Sequence, residues 1–254
     1  MDAKYGPLSA EFYDLTKPLE AEYPDVHYYA DLLGELEGKS PRILEIGAGT
    51  GRLLVPLLEA GLRLEALEPS PFMRTHFKRH LKARRLKCPL LEIAAEELDE
   101  AAAYDAIVVS FGSFQLFDEA QADRCLKAFH RALKPGAQLF VDIDVIRPDL
   151  ARAGLKTHGA RVPTEDGAEI VLEGARRWDF VAQLEHVFLR YEKWRDGRCE
   201  ATEMQDFALR WYGVREFHHL LERHGFKDVR WLGDYHEAEL HAETGTICFR
   251  AGRG

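Results

Sequence analysis

Apolar positions between residues 43 and 68 follow a strand spacing, then a helical spacing, then a strand spacing again. Ile43–Ile46 is a short apolar run of the length that predicts a buried strand. Apolar residues then recur on one face of a predicted helix, at Leu53, Leu54, Leu57 and Leu58. Gly61 favours the end of that helix, and residues 62–67 predict a second strand that ends at Glu68. This segment therefore predicts one unit of strand, loop, helix and strand.

The alternation of strand and helix patterns continues through most of the chain. It predicts helices at residues 69–80 and 118–133, and strands at residues 90–93, 106–110 and 137–143. Near the end, apolar positions around Phe217 predict a helix, which is followed by two strands at residues 227–233 and 244–250. Strands that alternate with helices favour an α/β fold around a mostly parallel sheet.

A central segment departs from this alternation. Residues 169–173, 178–194 and 198–210 alternate apolar and polar side chains, and Asp196-Gly197 predicts a tight turn between two of these runs. The pattern predicts a small antiparallel sheet that is inserted after the fifth strand. The first forty residues are rich in tyrosine and predict a helix before Gly38.

A glycine loop follows the first predicted strand, with glycines at positions 47, 49 and 51. Glycine lets a backbone approach a ligand closely, and the start of the next helix directs free N–H groups toward it. Glu68 lies about twenty residues further on, where a carboxylate can accept both hydroxyls of a ribose. The loop therefore predicts a nucleoside site, and the structural alternative is a tight turn that binds nothing.

Residues 45–52, E-I-G-A-G-T-G-R, resemble motif I of the class I S-adenosylmethionine-dependent methyltransferases, and residues 67–70 resemble motif II. The resemblance implies S-adenosyl-L-methionine as the cofactor. It also implies a Rossmann-like seven-stranded α/β methyltransferase fold with an inserted small antiparallel β-sheet. The implied segments are an N-terminal helical lid (1–40), the cofactor-binding core (41–146), the inserted sheet as a cover over the acceptor (147–212) and the C-terminal part of the core (213–254).

The resemblance implies a set of cofactor-binding residues in the lid, the glycine loop and the strand ends. They are Tyr13, Glu45, Gly47, Ala48, Gly49, Thr50, Gly51, Arg52, Glu68, Pro69, Met73, Ala95, Glu96, Ser110, Phe111 and Gly112. One position departs from the family, which often has an Asp that binds the adenine amino group where this chain has Ala94. Adenine binding is expected from the backbone of Ala95 and from Glu96 or Glu97, or from apolar contacts.

Acidic and aromatic residues are expected around the methyl acceptor. Asp142 and Asp144 alternate on the fifth strand, so both are expected on one face or at the strand exit. With His186 and Arg190 of the insert, they are the candidates for catalysis. The magnesium-dependent catechol methyltransferases have a further acid after the fourth strand, which this chain lacks, and we predict no metal. We expect deletion of residues 175–210 to remove turnover but to leave cofactor binding largely intact.

S-adenosylmethionine is an activated donor, so in-line positioning of a nucleophile can supply most of the rate. A general base is needed only if the acceptor must lose a proton. The Asn-Pro-Pro-Tyr and Pro-Cys motifs of DNA methyltransferases do not follow the fourth strand, which favours a small-molecule N or O acceptor. Two alternatives stay open: a non-catalytic S-adenosylmethionine-binding regulatory or scaffold protein, and a nicotinamide-dependent oxidoreductase.

Charge and composition narrow the partners. The 254 residues are 46% hydrophobic and 30% charged, with a net charge of −9, which argues against nucleic acid or an anionic membrane as the partner. No apolar run reaches the roughly eighteen residues of a membrane span, and the four cysteines have no metal-ligand spacing. We therefore predict a cytoplasmic protein with reduced thiols. The inserted sheet could also form a homodimer interface.

Overall fold

The computed structural model describes residues 4–36, 40–145, 156–236 and 240–254. They form a seven-stranded sheet, here sheet A, and a four-stranded antiparallel sheet, here sheet B. Sheet B lies within the predicted insert, whose first residues, 147–155, fall outside the described residues.

Apart from a strand at Lys156–Pro163, which the sequence pattern does not predict, the elements of the two sheets follow one another in the predicted order. Sheet A contains β1 (Ile43–Ile46), β2 (Leu64–Leu67), β3 (Leu90–Leu91), β4 (Tyr104–Val109), β5 (Leu133–Asp144), β10 (Phe226–Gly233) and β11 (Thr246–Arg253). Sheet B contains β6 (Lys156–Pro163), β7 (Glu169–Asp179), β8 (Leu184–Arg195) and β9 (Arg198–Arg210). The helices are α1 (Pro7–Thr16), α2 (Pro24–Gly34), α3 (Leu54–Glu59), α4 (Pro71–Arg84), α5 (Glu119–Ala132) and α6 (Val214–Arg223). No helix in this described part of the chain is long and apolar enough to cross a membrane.

Sheet A has the strand order β10-β11-β5-β4-β1-β2-β3. The strands β1 to β5 are parallel, whereas β11 runs antiparallel to β5 and β10 runs antiparallel to β11. β1 pairs with both β2 and β4, so the strand order reverses there and leaves a crevice at the carboxyl ends. This topology confirms the predicted seven-stranded α/β fold with an inserted antiparallel sheet.

Helices bury both faces of sheet A. On one face, α5 and α6 contribute buried apolar side chains such as Phe129 and Phe217. On the other face, α2, α3 and α4 contribute Tyr29, Leu54 and Phe77. The central strand β1 is buried along its whole length, as expected for a parallel strand that is covered on both sides. This burial stabilises strands as short as four residues.

Two side-chain caps place residues at the crevice. Ser70 precedes α4, and its hydroxyl accepts a hydrogen bond from the backbone N–H of Met73 at 3.3 Å. Asp118 precedes α5 and accepts a hydrogen bond from the backbone N–H of Gln121 at 2.7 Å. Such caps satisfy the free N–H groups at a helix start and fix where the helix begins. They therefore fix the positions of Met73 and Gln121, which both face the crevice.

Sheet B corrects two details of the predicted insert. The sequence pattern does not predict β6. Residues 178–194 are not a single run, because the chain turns between Asp179 and Leu184. The Asp179 carboxylate accepts hydrogen bonds from the N–H groups of Val181 and Ala182 at 3.0 and 2.9 Å. No Gly or Pro marks this turn, which is why its sequence reads as a continuous strand. The predicted turn at Asp196-Gly197 is present between β8 and β9.

The N-terminal segment contains two helices with different surroundings. α2 packs on α3, and its Tyr29 and Leu33 belong to the core beside sheet A. α1 contributes Leu8 and Phe12 to a separate apolar cluster with β7 and β8 of sheet B. The predicted lid is therefore divided, since α2 is part of the core and α1 lies between sheet B and α4, where its Asp14 pairs with His80 at 2.6 Å.

Candidate functional site

A cavity of about 730 Å³ opens at the carboxyl ends of β1, β2, β4 and β5. The strand ends form its floor, and α1 and sheet B form its roof through Tyr13, Trp178 and Phe207. Its volume lies within the range of about 300–1,000 Å³ that is typical of small-molecule sites. The cavity occupies the crevice where open α/β sheets bind ligands.

Most of the residues that the resemblance assigned to the cofactor line this cavity. They are Tyr13, Glu45, Gly47, Ala48, Gly49, Arg52, Glu68, Pro69, Met73, Ala95, Glu96, Ser110, Phe111 and Gly112. Thr50 and Gly51 do not line it. A Cβ atom on Gly51 would lie 2.5 Å from the Phe77 ring and 2.7 Å from Val55. Gly51 is therefore required for helix packing rather than for contact with a ligand.

The glycine loop turns its backbone along the cavity wall. The N–H groups of Gly47 and Ala48 donate hydrogen bonds to the Leu67 carbonyl at 2.8 and 3.1 Å. Gly49 has a φ of +59°, and a Cβ atom there would meet no other described protein atom closer than 4.0 Å. The space over Gly49 is therefore open to a ligand, and its backbone conformation favours glycine.

The Glu68 carboxylate is held rigidly at the tip of β2. One oxygen accepts a hydrogen bond from the Ser70 N–H at 2.7 Å, and the other accepts one from the Gly49 N–H at 2.8 Å. Burial raises the pKa of Glu68, whereas these two hydrogen bonds act in the opposite direction. Each oxygen retains a further lone pair for a ligand hydroxyl. This geometry suits a pair of ribose hydroxyls.

The Glu45 carboxylate has one oxygen without a partner. Its Oε1 accepts a hydrogen bond from the Ser110 hydroxyl at 3.0 Å, whereas its buried Oε2 has no hydrogen-bond partner among the described residues. Burial raises the pKa of Glu45 to about 8. Because Glu45 lines the cavity, a cationic group of a ligand could pair with it and offset the cost of that buried oxygen.

Arg52 is part of the glycine-loop motif but is already paired. Both terminal nitrogens of its buried guanidinium donate to Asp25 of α2, one of them at 3.0 Å. The guanidinium also lies 4.3 Å from the centre of the Phe111 ring and 4.7 Å from that of Tyr23. Arg52 therefore ties the loop to α2, and its charge is largely balanced before any ligand binds.

The structure distinguishes between Glu96 and Glu97 at the opposite end of the cavity. Glu97 accepts a hydrogen bond from the Ala94 N–H at 2.8 Å and so stabilises its own short 3₁₀ turn. Glu96 lines the cavity and accepts a hydrogen bond from Gln121 at 3.3 Å. Of these two carboxylates, Glu96 is therefore the one that faces the cavity.

Asp142 lies beneath the cavity floor. Its carboxylate accepts hydrogen bonds from the hydroxyls of Tyr29 at 2.7 Å and Tyr235 at 3.2 Å, and from the Phe111 N–H at 3.1 Å. It is fully buried, and burial raises its pKa to about 7. Phe111 has a φ of +51°, which is strained for a non-glycine residue. Asp142 therefore holds the end of β4 in place, and it does not line the cavity.

Asp144 differs from Asp142 because it is exposed and lines the cavity. Its carboxylate accepts a hydrogen bond from the Thr246 hydroxyl at 3.1 Å. Both polar atoms of the Gln115 amide hydrogen-bond to the backbone of Asp144, at 2.7 and 3.1 Å. Limited hydration raises the pKa of Asp144, and the nearby Glu185 carboxylate raises it further. Asp144 is thus a fixed carboxylate with an elevated pKa at the roofed end of the cavity.

The structure does not bring His186 and Arg190 to the cavity. Arg190 pairs with Glu173 at 2.6 Å, and alternation along β8 places both candidates on the outer face of sheet B. Sequence reasoning missed the inward-facing residues of sheet B that line the cavity: Arg176, Trp178, Glu185, Phe207 and Leu209. Their period of two was visible in the sequence, but the pattern alone could not tell which face is covered.

Residues 43–136 match the family described as "Methyltransferase domain". An uncharacterized methyltransferase of Oceanobacillus iheyensis is 32% identical over 132 residues, which cover 48% of this chain and 57% of that protein. The chain thus matches little more than half the length of this curated relative. An S-adenosylmethionine-dependent methyltransferase structure from Clostridium acetobutylicum has a TM-score of 0.75 at 18% identity, covering 96% of this chain and 97% of that one.

An amino pentose methyltransferase from Micromonospora echinaspora, with S-adenosylmethionine bound, has a TM-score of 0.70 at 17% identity. The alignment covers 96% of this chain and 97% of that chain. At these identities the solved structures establish a shared fold. Residues 43–136 therefore match the methyltransferase domain family, and the chain shares the fold of these solved methyltransferase structures.

Proposed function

We propose that the chain transfers a methyl group from S-adenosylmethionine to an N or O nucleophile of a small molecule. The observation that carries this proposal is one continuous cavity, which joins Glu45, Gly49 and Glu68 at one end to Asp144 and sheet B at the other. In an in-line displacement, the nucleophile forms a bond to the methyl carbon as the carbon–sulfur bond breaks. The electron pair of that bond returns to sulfur and leaves a neutral thioether.

The carboxylates of the cavity fit the polar groups of this cofactor. We propose that Glu68 accepts hydrogen bonds from the ribose hydroxyls and Glu96 from the adenine amino group, which is supported by their positions in the cavity wall. The unpaired oxygen of Glu45 is placed to meet the ammonium group of the methionine portion. We propose Tyr13 as the lid residue near the sulfonium, since an aromatic face is attracted to a cation.

We expect Gly49→Ala to weaken the binding of S-adenosylhomocysteine by about 1–3 kcal/mol, because the new methyl group occupies space that the ligand needs. Calorimetry measures this change. Gly197→Ala is the matched control, since Gly197 also has a positive φ of +72° but lies in the β8–β9 turn with open space around it. Equal affinities for the two variants would show that the loop is only a structural turn.

Asp144 is our candidate for the group that orients the acceptor and takes its proton. Its fixed backbone, exposure to the cavity and raised pKa suit a general base that faces an amine or a hydroxyl. The Arg176–Glu185 pair, at 2.9 Å, lies in the same roofed end and adds further polar contacts for the acceptor. Trp178, Phe207 and Trp211 supply aromatic walls that exclude water. We propose an acceptor small enough to fit under this roof, with no metal.

We expect Asp144→Asn to lower kcat by about a hundredfold or more, while S-adenosylhomocysteine binds as before. Transfer of a labelled methyl group to a panel of amines, amino sugars, alcohols and carboxylates identifies an acceptor for this measurement. Asp206→Asn is the control, because Asp206 is an exposed carboxylate of β9 that does not line the cavity. An unchanged kcat in Asp144→Asn would remove Asp144 from the mechanism.

The panel also tests the alternatives. The fold shared with an amino pentose methyltransferase supports placing amines first in the panel. Tight binding of S-adenosylmethionine without methyl transfer to any compound would favour the interpretation that the protein is a non-catalytic regulatory or scaffold protein. Binding of a nicotinamide nucleotide in preference to S-adenosylmethionine would overturn the proposal.

A further inference from the structure

The start of α1 is capped by a residue from sheet B. Gly6 is the residue before the helix and has no side chain, and the first turn contains no acidic residue. The Glu203 carboxylate of β9 instead accepts hydrogen bonds from the N–H groups of Gly6, Leu8 and Ser9, at 3.2, 2.7 and 3.3 Å. A carboxylate at this position satisfies free N–H groups and interacts favourably with the helix dipole.

Further contacts connect α1 to sheet B. Gln205, two residues after Glu203, donates hydrogen bonds to the Lys4 carbonyl at 2.5 Å and the Ser9 hydroxyl at 2.9 Å. Phe12 of α1 packs edge-on against Tyr191 of β8, with 5.5 Å between ring centres. The inner face of sheet B therefore supports the start and the apolar side of α1, while Asp14 near its end pairs with His80 of α4 at 2.6 Å.

The same helix carries aromatic side chains into the cavity. Tyr5, just before α1, and Tyr13, within it, both line the cavity, and their ring centres are 6.3 Å apart. The Tyr5 carbonyl accepts a hydrogen bond from the hydroxyl of Ser70, two residues after Glu68, at 3.4 Å. The position of α1 therefore determines whether these aromatic groups close over the part of the cavity that contains the cofactor residues.

We infer that Glu203 is a positioning residue for the cofactor lid. It caps α1 from the inserted sheet and so holds Tyr5 and Tyr13 over the cavity, which makes the lid and the acceptor cover one closing unit. This inference rests on the proposed function, because it assumes that S-adenosylmethionine lies beneath α1. It adds that a residue of the acceptor cover controls how long the cofactor stays bound.

The expected effect is kinetic. If a bound ligand leaves only when α1 opens, then its dissociation rate is proportional to the open population of the helix. Amide exchange in residues 8–16 depends on the same population. Loss of the cap should therefore raise both rates by the same factor, whereas the equilibrium affinity changes less if α1 is mostly closed in the free protein.

We expect Glu203→Ala to raise the dissociation rate of S-adenosylhomocysteine and the amide exchange of residues 8–16 by roughly five- to thirtyfold. Stopped-flow displacement and hydrogen exchange measure the two rates. Glu200→Ala is the matched control, because Glu200 lies on the same strand and pairs with Arg195 at 2.8 Å. If amide exchange in α2 rises by the same factor, the variant has lost stability in general, and the inference is overturned. Unchanged amide exchange in residues 8–16 would also overturn it.

A second variant pair tests the cap itself. A Cβ atom on Gly6 would lie 2.5–2.7 Å from the Glu203 carboxylate, so Gly6→Asp alone should also loosen α1 by crowding and repulsion. In the Glu203→Ala protein, Gly6→Asp should instead supply a local cap and bring both rates back toward those of the unmodified chain. If ligand dissociation and amide exchange in the double variant are as fast as in Glu203→Ala, the inference is contradicted.

The two proposals can fail separately. If S-adenosylhomocysteine does not bind the unmodified chain, the proposed function fails. The exchange rates of residues 8–16 in the free protein still test whether Glu203 caps α1. If the ligand binds but Glu203→Ala changes neither rate, only the inference about Glu203 fails.

Discussion

Replacement of Glu68 by Ala should weaken the binding of S-adenosylmethionine by about 1.5–3 kcal/mol, or roughly ten- to 150-fold, the range for hydrogen bonds to a charged group. Both carboxylate oxygens of Glu68 are fixed by backbone N–H groups, at 2.7 and 2.8 Å, so little reorganisation is needed before they accept ribose hydroxyls. Titration calorimetry with S-adenosylmethionine and S-adenosylhomocysteine measures the loss.

The loss of Glu68 also leaves the N–H groups of Gly49 and Ser70 without their partner, so a control must separate binding from stability. Asp105→Ala provides it. Asp105 accepts hydrogen bonds from the Arg42 N–H at 2.8 Å and from Lys134 at 2.7 Å, at the amino end of the sheet, away from the cavity. If both variants lose comparable stability but only Glu68→Ala binds the ligand more weakly, the assignment of Glu68 to the ribose hydroxyls is supported. If Glu68→Ala folds and its affinity is unchanged, the assignment is rejected.

Binding of S-adenosylmethionine should strengthen as the pH rises from about 6 to about 7.5, by up to tenfold per pH unit. The pKa of Glu45 in the free protein is raised to about 8, so its carboxyl group is mostly protonated in this range. A ligand ammonium beside its unpaired oxygen favours the ionised form. Binding therefore releases a proton, and higher pH favours it until Glu45 is ionised in the free protein as well.

The same shift has a consequence for the stability of the free protein. Because the folded pKa of Glu45 lies above the unfolded value, its contribution is fully present below the unfolded pKa and is lost as the pH rises toward about 8. Glu45→Gln should flatten the pH dependence of binding. Asp142 keeps its raised pKa in this variant, so a flattened dependence also excludes Asp142 as the group that releases the proton. A slope that persists in Glu45→Gln would assign the proton to another group.

The packing of α1 changes one expectation about the insert. From the sequence, deletion of residues 175–210 is expected to spare cofactor binding, because the insert is read as an acceptor cover alone. In the structure, Leu8 and Phe12 of α1 rest on β7 and β8, and Glu203 caps the helix. We now expect the deletion to weaken cofactor binding as well, since α1 would lose the surface that positions Tyr13.

The outer face of sheet B is the surface through which the predicted homodimer would form. Phe188 and Met204 are exposed there, close to the Arg190–Glu173 pair. An antiparallel sheet with one buried face and one solvent-facing face commonly carries such mixed side chains. Dimerisation through the insert therefore remains a prediction, and the mass of the protein in solution is the measurement that decides it.

The local sequence alone determined the glycine loop, the acidic end of β2 and the order of strands and helices. These features depend on spacing within single elements and on backbone conformations that only certain residues adopt. Gly47 and Gly49, with φ of +74° and +59°, needed no distant contact to be recognised, and Glu68 followed from its distance along the chain. The capping pattern at Asp118 is equally local.

Only the tertiary structure decided what surrounds the acceptor. Asp142 and Asp144 are equivalent by alternation, yet Tyr29 and Tyr235 reach Asp142 from distant parts of the chain, whereas Asp144 faces the cavity. The period-two pattern of sheet B defines two faces, but only the position of α1 shows that Glu185 faces inward. These choices depend on contacts between segments far apart in sequence, which no local spacing encodes.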